Sequence, residues 1–236
     1  MTVPSTYVLL HGAWHGGWCW KRVAEPLRAE GHAVYAPTQT GLGERSHLLS
    51  RELTLDVFVQ DVVHVLEFED LRDVVLVGHS FGGFPISGVA ERLPDRIRHL
   101  VYLDALVPES GRSPMSLVPP ETAAERRRLA QASSGGLSIP VPDPSAFGVT
   151  DAADAAWLRA RCTPHPLSAY ESTLELRHPP GNGLPATYVA VTPYYAPTAS
   201  SRERAKRLGW RYLEMQAGHD AMVTSPRAVI ELLRTL

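Results

Sequence analysis

The stretch Val74-Val75-Leu76-Val77-Gly78-His79-Ser80-Phe81-Gly82-Gly83 decides how the rest of the chain is read. Four consecutive apolar residues, three of them β-branched, suit a strand covered on both faces, as in a parallel sheet. The run stops at Gly78. From Phe81 a helical pattern continues to Arg92 and ends before Pro94, which cannot extend a helix. A serine between strand and helix, with glycine two residues before and two after, fits G-x-S-x-G in the context that makes the pattern informative. So tight a turn strains the backbone at its centre and pushes the hydroxyl clear of the sheet, while the glycines let neighbouring backbone approach. The competing reading, a turn that only packs, leaves both flanks unexplained.

The alternation of strand and helix extends in both directions from this turn. Upstream, the pattern predicts strands at Tyr7–Leu10 and His32–Ala36, a helix over Trp18–Glu30 closed by Gly31, a glycine-rich loop at Thr40–Gly43 and a helix over Leu55–Phe68. Downstream, Leu100–Leu103 reads as a fourth buried strand. The alternation then breaks from Pro108 to Pro185, a proline-rich stretch with helical patches at Glu121–Ala132, Ala152–Ala160 and Pro166–Arg177. It resumes with strands at Thr187–Val191 and Trp210–Glu214 and helices at Ser201–Leu208 and Pro226–Leu233. The expected architecture is one α/β domain over residues 1–236. A mostly parallel sheet of about six strands is flanked by helices (core 1–107 and 186–236), and a helical lid (108–185) follows the fourth strand.

Composition narrows the classes of function. The 236 residues are 44% hydrophobic, enough for one substantial core. A net charge of −2 offers no electrostatic footprint for nucleic acid or for an anionic membrane surface. No apolar stretch approaches the roughly 18 residues needed to cross a bilayer. Met1-Thr2-Val3-Pro4 shows no basic leader or cleavage site, so no export is expected. Cys19 and Cys162 lie far apart and outside any C-x-x-C pattern, which suits a reducing, cytoplasmic compartment. Assembly is left open, a homodimer being the form considered.

A serine hydroxyl is a weak nucleophile at neutral pH and needs a base, which in such a topology arrives last in the chain. Of ten histidines, His219 in Ala217-Gly218-His219-Asp220 follows the final strand pattern. His32 and His99, at strand entrances, read as solvated surface residues. The imidazole needs a carboxylate to hold its tautomer. None follows Val191 before Glu203, whereas Asp104 directly follows the fourth strand and is the choice. Asp220, next to the base, reads as a turn residue. Two donors for a developing oxyanion would be the amides of Phe81 and of Ala13, the latter in the loop His11-Gly12-Ala13-Trp14-His15-Gly16-Gly17. That loop lacks the G-x-G-x-x-G and P-loop patterns of phosphate sites. Trp14, Phe81 and Trp157 are candidates to line a substrate pocket, with ordinary packing as the alternative.

At His11-Gly12-Ala13-Trp14-His15-Gly16-Gly17-Trp18, Gly78-His79-Ser80-Phe81-Gly82-Gly83 and Gly218-His219-Asp220-Ala221-Met222, the chain resembles the plant methylesterase and hydroxynitrile lyase family and its bacterial esterase relatives. The resemblance spans nearly the whole chain, and Thr163-Pro164-His165-Pro166 is similar to a family element in the lid. It implies an α/β-hydrolase core, a helical lid, no cofactor and no metal, and either ester hydrolysis or cyanohydrin cleavage. The lyases carry a threonine beside the oxyanion loop and a lysine after the catalytic histidine, where this chain has Gly12 and Asp220. Without that ammonium to receive cyanide, hydrolysis of a small carboxylic ester through an acyl-enzyme is expected. Plant members carry an acid after the next-to-last strand that is missing here, so its role would pass to Asp104. The alternatives are a lactone-opening or carbon-carbon lyase activity from the same triad, or a ligand receptor on this fold that scarcely turns over.

Overall fold

A computed structural model describes residues 4–236. Met1, Thr2 and Val3, on which the expectation about export partly rests, lie outside the described residues. The first strand, β1 (Thr6–Leu10), leads through a short 3-10 turn at Gly17–Trp20 into α1 (Lys21–Ala29) and β2 (Ala33–Tyr35). Gly31, at φ 91°, supplies the left-handed residue that lets the chain reverse between them. Next come α2 (Leu55–Phe68), β3 (Val74–His79), α3 (Gly83–Arg92) and β4 (Ile97–Leu103).

After β4 the chain leaves the sheet. The excursion contains α4 (Pro120–Ser134), a two-residue strand β5 (Ser138–Ile139), α5 (Ala152–Arg159), the two-residue β6 (His165–Pro166) antiparallel to β5, and α6 (Leu167–Glu171). The chain re-enters the sheet at β7 (Ala186–Thr192) and finishes with α7 (Ala199–Arg207), β8 (Arg211–Gln216), α8 (Ala221–Thr224) and α9 (Pro226–Leu233).

The six main strands run β2-β1-β3-β4-β7-β8, and every pairing among them is parallel. This is the α/β-hydrolase fold. Val74, Val75, Leu76 and Val77 of the central β3 are all fully buried, and removing each from water contributes about 1.5–3 kcal/mol. Helices cover both faces, as an all-parallel sheet requires.

The helix expected over Pro166–Arg177 is much shorter. It ends at Glu171 because the Ser172 hydroxyl donates to Ala169 O and accepts from the Leu55 amide, while Ser172 itself turns extended. His32 and His99 are not solvated either. His32 is buried and accepts a hydrogen bond from the Ser5 amide, and His99 is half-buried against the Thr187 hydroxyl.

Candidate active site

The carboxyl ends of β3, β4 and β8 converge on one point. Ser80, the first residue beyond β3, holds φ at 53°, a left-handed value costly for a residue with a side chain. A Cβ on Gly78 would fall 2.7 Å from Gly82 O, and one on Gly82 would fall 2.8 Å from His11 O, so only glycine permits the crossing of chains behind the serine.

His219 reaches Ser80 from the loop after β8. Its Nε2 lies 2.9 Å from Ser80 Oγ, and its Nδ1 lies 2.6 Å from Asp104 Oδ2. With Nδ1–H donating to the carboxylate, Nε2 is left to accept the serine proton. Asp104, fully buried and at φ 41°, also accepts from the Thr198 hydroxyl at 3.0 Å through its other oxygen. The segment after β7, which carries no acid, supplies Tyr195 instead. Its ring stacks on His219 at 3.7 Å between centroids and fixes the imidazole plane from one side.

Asp220 is not simply a turn residue. It is fully buried, and its Oδ2 lies 3.0 Å from Nε2 of His15, whose Nδ1 donates to Ala13 O at 2.7 Å. With an acceptor at each ring nitrogen, His15 carries both protons as an imidazolium. Burial works against that charge, but the Asp220 carboxylate together with the neighbouring Cys162 outweighs it and holds the His15 pKa well above the usual range. Burial also disfavours the ionised Asp220, yet His15 keeps that carboxyl below its ordinary value. His79 is buried beside the pair and is kept neutral by burial and by His219. Its Nε2–H donates to the backbone oxygen of His219 at 2.9 Å. The His219 imidazole is therefore held by its ring on one side and by its main chain on the other.

The loop after β1 lies directly against the serine, since a Cβ on Gly12 would fall 2.8 Å from Ser80 Cβ. His11 Nδ1 donates to Gly12 O at 2.8 Å, while its Nε2 accepts from the Gln39 amide; burial drops the His11 pKa to about 3. Because a trans peptide sets C=O and N–H on opposite sides, holding Gly12 O to His11 turns the Ala13 amide the other way. Phe81 is fully buried, its ring against His165 at 4.6 Å and Tyr170 at 5.0 Å.

Trp14 takes φ 66° and is stitched to the excursion after β4. Its indole donates to Ile139 O, its amide to His165 Nδ1, and its carbonyl accepts from Thr163. Trp14 lines a narrow cleft beside Ser80, together with Leu106, Val118, Arg126, Tyr170 and Tyr195. Trp157 stands elsewhere. It packs edge-on to Trp18 at 5.0 Å and under the guanidinium of Arg22, so it does not line this cleft. The larger hollow near Arg28, Asp61 and Phe68 lies away from the serine. His15, His79, His165, Tyr195 and Arg126 were not separable from other residues by sequence reasoning, because no local pattern marks which side chains meet across the sheet edge.

Residues 7–232 match the alpha/beta hydrolase family. The chain is 40% identical over 244 residues to the "Carbendazim hydrolyzing esterase" of Nocardioides sp. (strain SG-4G), covering 98% of this chain and 99% of that protein. It is 32% identical over 113 residues to Methylesterase 10 of Arabidopsis thaliana, 48% of this chain and 41% of that protein. Among solved structures it is similar to an extracellular alpha/beta-hydrolase from a Paenibacillus species, described as sharing structural and functional homology with tobacco Salicylic Acid Binding Protein 2. That likeness has a TM-score of 0.86 at 29% identity and covers 98% of both chains.

Proposed function

The chain belongs to the alpha/beta hydrolase family and is a carboxylic ester hydrolase, and from that premise we propose that Ser80, His219 and Asp104 are its catalytic triad. The observation that carries the reading is the unbroken relay from Asp104 Oδ2 through the His219 ring to Ser80 Oγ, with contacts of 2.6 and 2.9 Å. Ser80 Oγ attacks the ester carbonyl as His219 Nε2 takes its proton. The amides of Ala13 and Phe81 receive the oxyanion, and the peptide geometry at Gly12 supports the first of these. As the bond between carbonyl carbon and alkoxy oxygen breaks, His219 gives the proton to the departing alcohol. Water, activated by the same imidazole, then attacks the acyl-enzyme, releases the acid and returns the proton to Ser80.

Core residues 1–107 and 186–236 act as one domain with the excursion 108–185, which serves as a lid over the site. Trp14 supports this role, since it bridges loop and excursion with three hydrogen bonds. The relatives' names, a carbendazim hydrolyzing esterase and a methylesterase, favour a small ester as the substrate. Among the described residues no helix is long and apolar enough to span a membrane, and both cysteines are free. The free thiols favour a cytoplasmic enzyme.

Replacing Ser80 by Ala abolishes turnover of an activated ester such as p-nitrophenyl acetate if this scheme holds. Esterase activity retained by that variant, with the protein free of contaminating hydrolase, overturns it. Multiple turnovers by the wild type also exclude the receptor alternative.

A further inference from the structure

Helix α4 carries three successive arginines, and they have different surroundings. Arg127 bonds Glu171 and Arg128 bonds Glu125, both pairs at the surface. Arg126 turns inward instead. Its guanidinium lies 4.8 Å from the centroid of Tyr170 and 5.6 Å from that of Trp14, and it lines the cleft beside Ser80. No aspartate or glutamate lines that cleft, and Nη1 of Arg126 is buried without a hydrogen-bond partner among the described residues.

A guanidinium nitrogen buried with its N–H unpaired, as Nη1 of Arg126 is, is unfavourable unless something else supplies the acceptor. The aromatic faces of Tyr170 and Trp14 hold the cation in place, but they leave its in-plane donors open. Those donors suit a planar carboxylate, which they can meet in a charge-assisted, two-point contact.

We propose that Arg126 is the specificity residue of this site and selects esters that carry a free carboxylate a few atoms from the scissile carbonyl, the half-esters of small dicarboxylic acids. The inference rests on Ser80 as the nucleophile, because it is the shared cleft that sets the distance between carboxylate and carbonyl. Hydrolysis of such a substrate gives a dicarboxylate and an alcohol.

The test compares monomethyl esters of malonate, succinate, glutarate and adipate with neutral methyl esters of matched chain length. It uses the wild type, Arg126→Met, Arg126→Lys and the surface control Arg127→Met. The wild type should favour at least one half-ester by about 10- to 100-fold in kcat/KM, the range of a hydrogen-bonded ion pair. Arg126→Met should erase that ratio mainly through KM, Arg126→Lys should restore part of it, and Arg127→Met should leave it in place. A wild-type enzyme that treats both series alike, or a ratio untouched by Arg126→Met, overturns the proposal. Calorimetry on Ser80→Ala separates the two readings. Binding of the preferred half-ester that is lost in the Ser80→Ala/Arg126→Met double variant supports Arg126 whatever the nucleophile, and no binding to Ser80→Ala overturns it. Persistent hydrolysis by Ser80→Ala counts against the nucleophile alone.

Discussion

Among the described residues six non-glycine positions hold a positive φ, and three of them, Trp14, Ser80 and Asp104, meet at the site. The other three are Asp70, Asp73 and Asn182, types for which a left-handed backbone is inexpensive. Strain of about 1–3 kcal/mol per residue persists only where surrounding structure enforces it, so Trp14 and Ser80 stand apart from ordinary turns, whereas the same backbone is inexpensive at Asp104. Asp104→Asn removes the carboxylate with little change of shape and should lower kcat by roughly 10⁴ through loss of the correct imidazole tautomer. Stopped assays of the purified variant read this directly, and a loss under tenfold moves the acid elsewhere.

The buried His15–Asp220 pair makes a second residue-level prediction. Removing one partner leaves an uncompensated buried charge, so His15→Gln should cost about 3–5 kcal/mol in denaturant unfolding. The folded pKa of His15 is raised, so its stabilisation is complete below about pH 6.5 and is lost as pH climbs through the raised value. That of Asp220 is depressed, so its share is present above about pH 4 and is lost as pH falls through the lowered value. The wild type's advantage over His15→Gln should therefore be greatest between about pH 4 and 6.5. An advantage that grows steadily above pH 7 contradicts the charge assignment.

Among the elements, the loop that carries His219 depends on the excursion after β4. The Asp220 amide donates to Phe147 O, and a Cβ on Gly218 would lie 2.5 Å from Gly148 O. Gly218→Ala must push the two segments apart, costing about 1–3 kcal/mol and displacing the imidazole. Melting temperature and kcat should fall together, and a variant with native values of both removes the excursion from any part in holding the base.

These same elements divide what the sequence made legible from what it did not. Val74–Gly83 announced its strand, turn and helix because burial and backbone strain there act over a few neighbouring residues. The partner of Asp220 was hidden, since His15 lies 205 positions away and only the folded sheet edge joins them. The extent of α6 was hidden for a related reason, as a contact from Leu55 ends it and no signal within Pro166–Arg177 does. Trp157 was misplaced because an aromatic residue on a short helix looks the same whether its ring faces a cavity or another tryptophan.

In the whole molecule, the sheet is assembled from two separated stretches, with β4 paired to β7 across the excursion. The last helix closes the structure against the first strand, where the Tyr7 hydroxyl donates to Leu233 O and the Leu233 side chain is fully buried. Leu233→Ala should cost about 2–5 kcal/mol, whereas Phe68→Ala, at a residue 83% exposed, should change stability by no more than about 0.5 kcal/mol. Equal effects from the two, measured by urea unfolding, contradict the assigned packing of α9.

The central claim is that Ser80 becomes covalently acylated with His219 as its base. Mass spectrometry of the protein after treatment with a fluorophosphonate reads this most directly. The account predicts one adduct per chain, located on the peptide containing Ser80, formed quickly by the wild type and much more slowly by His219→Ala. An adduct on any other residue, or equal labelling of both proteins, contradicts it.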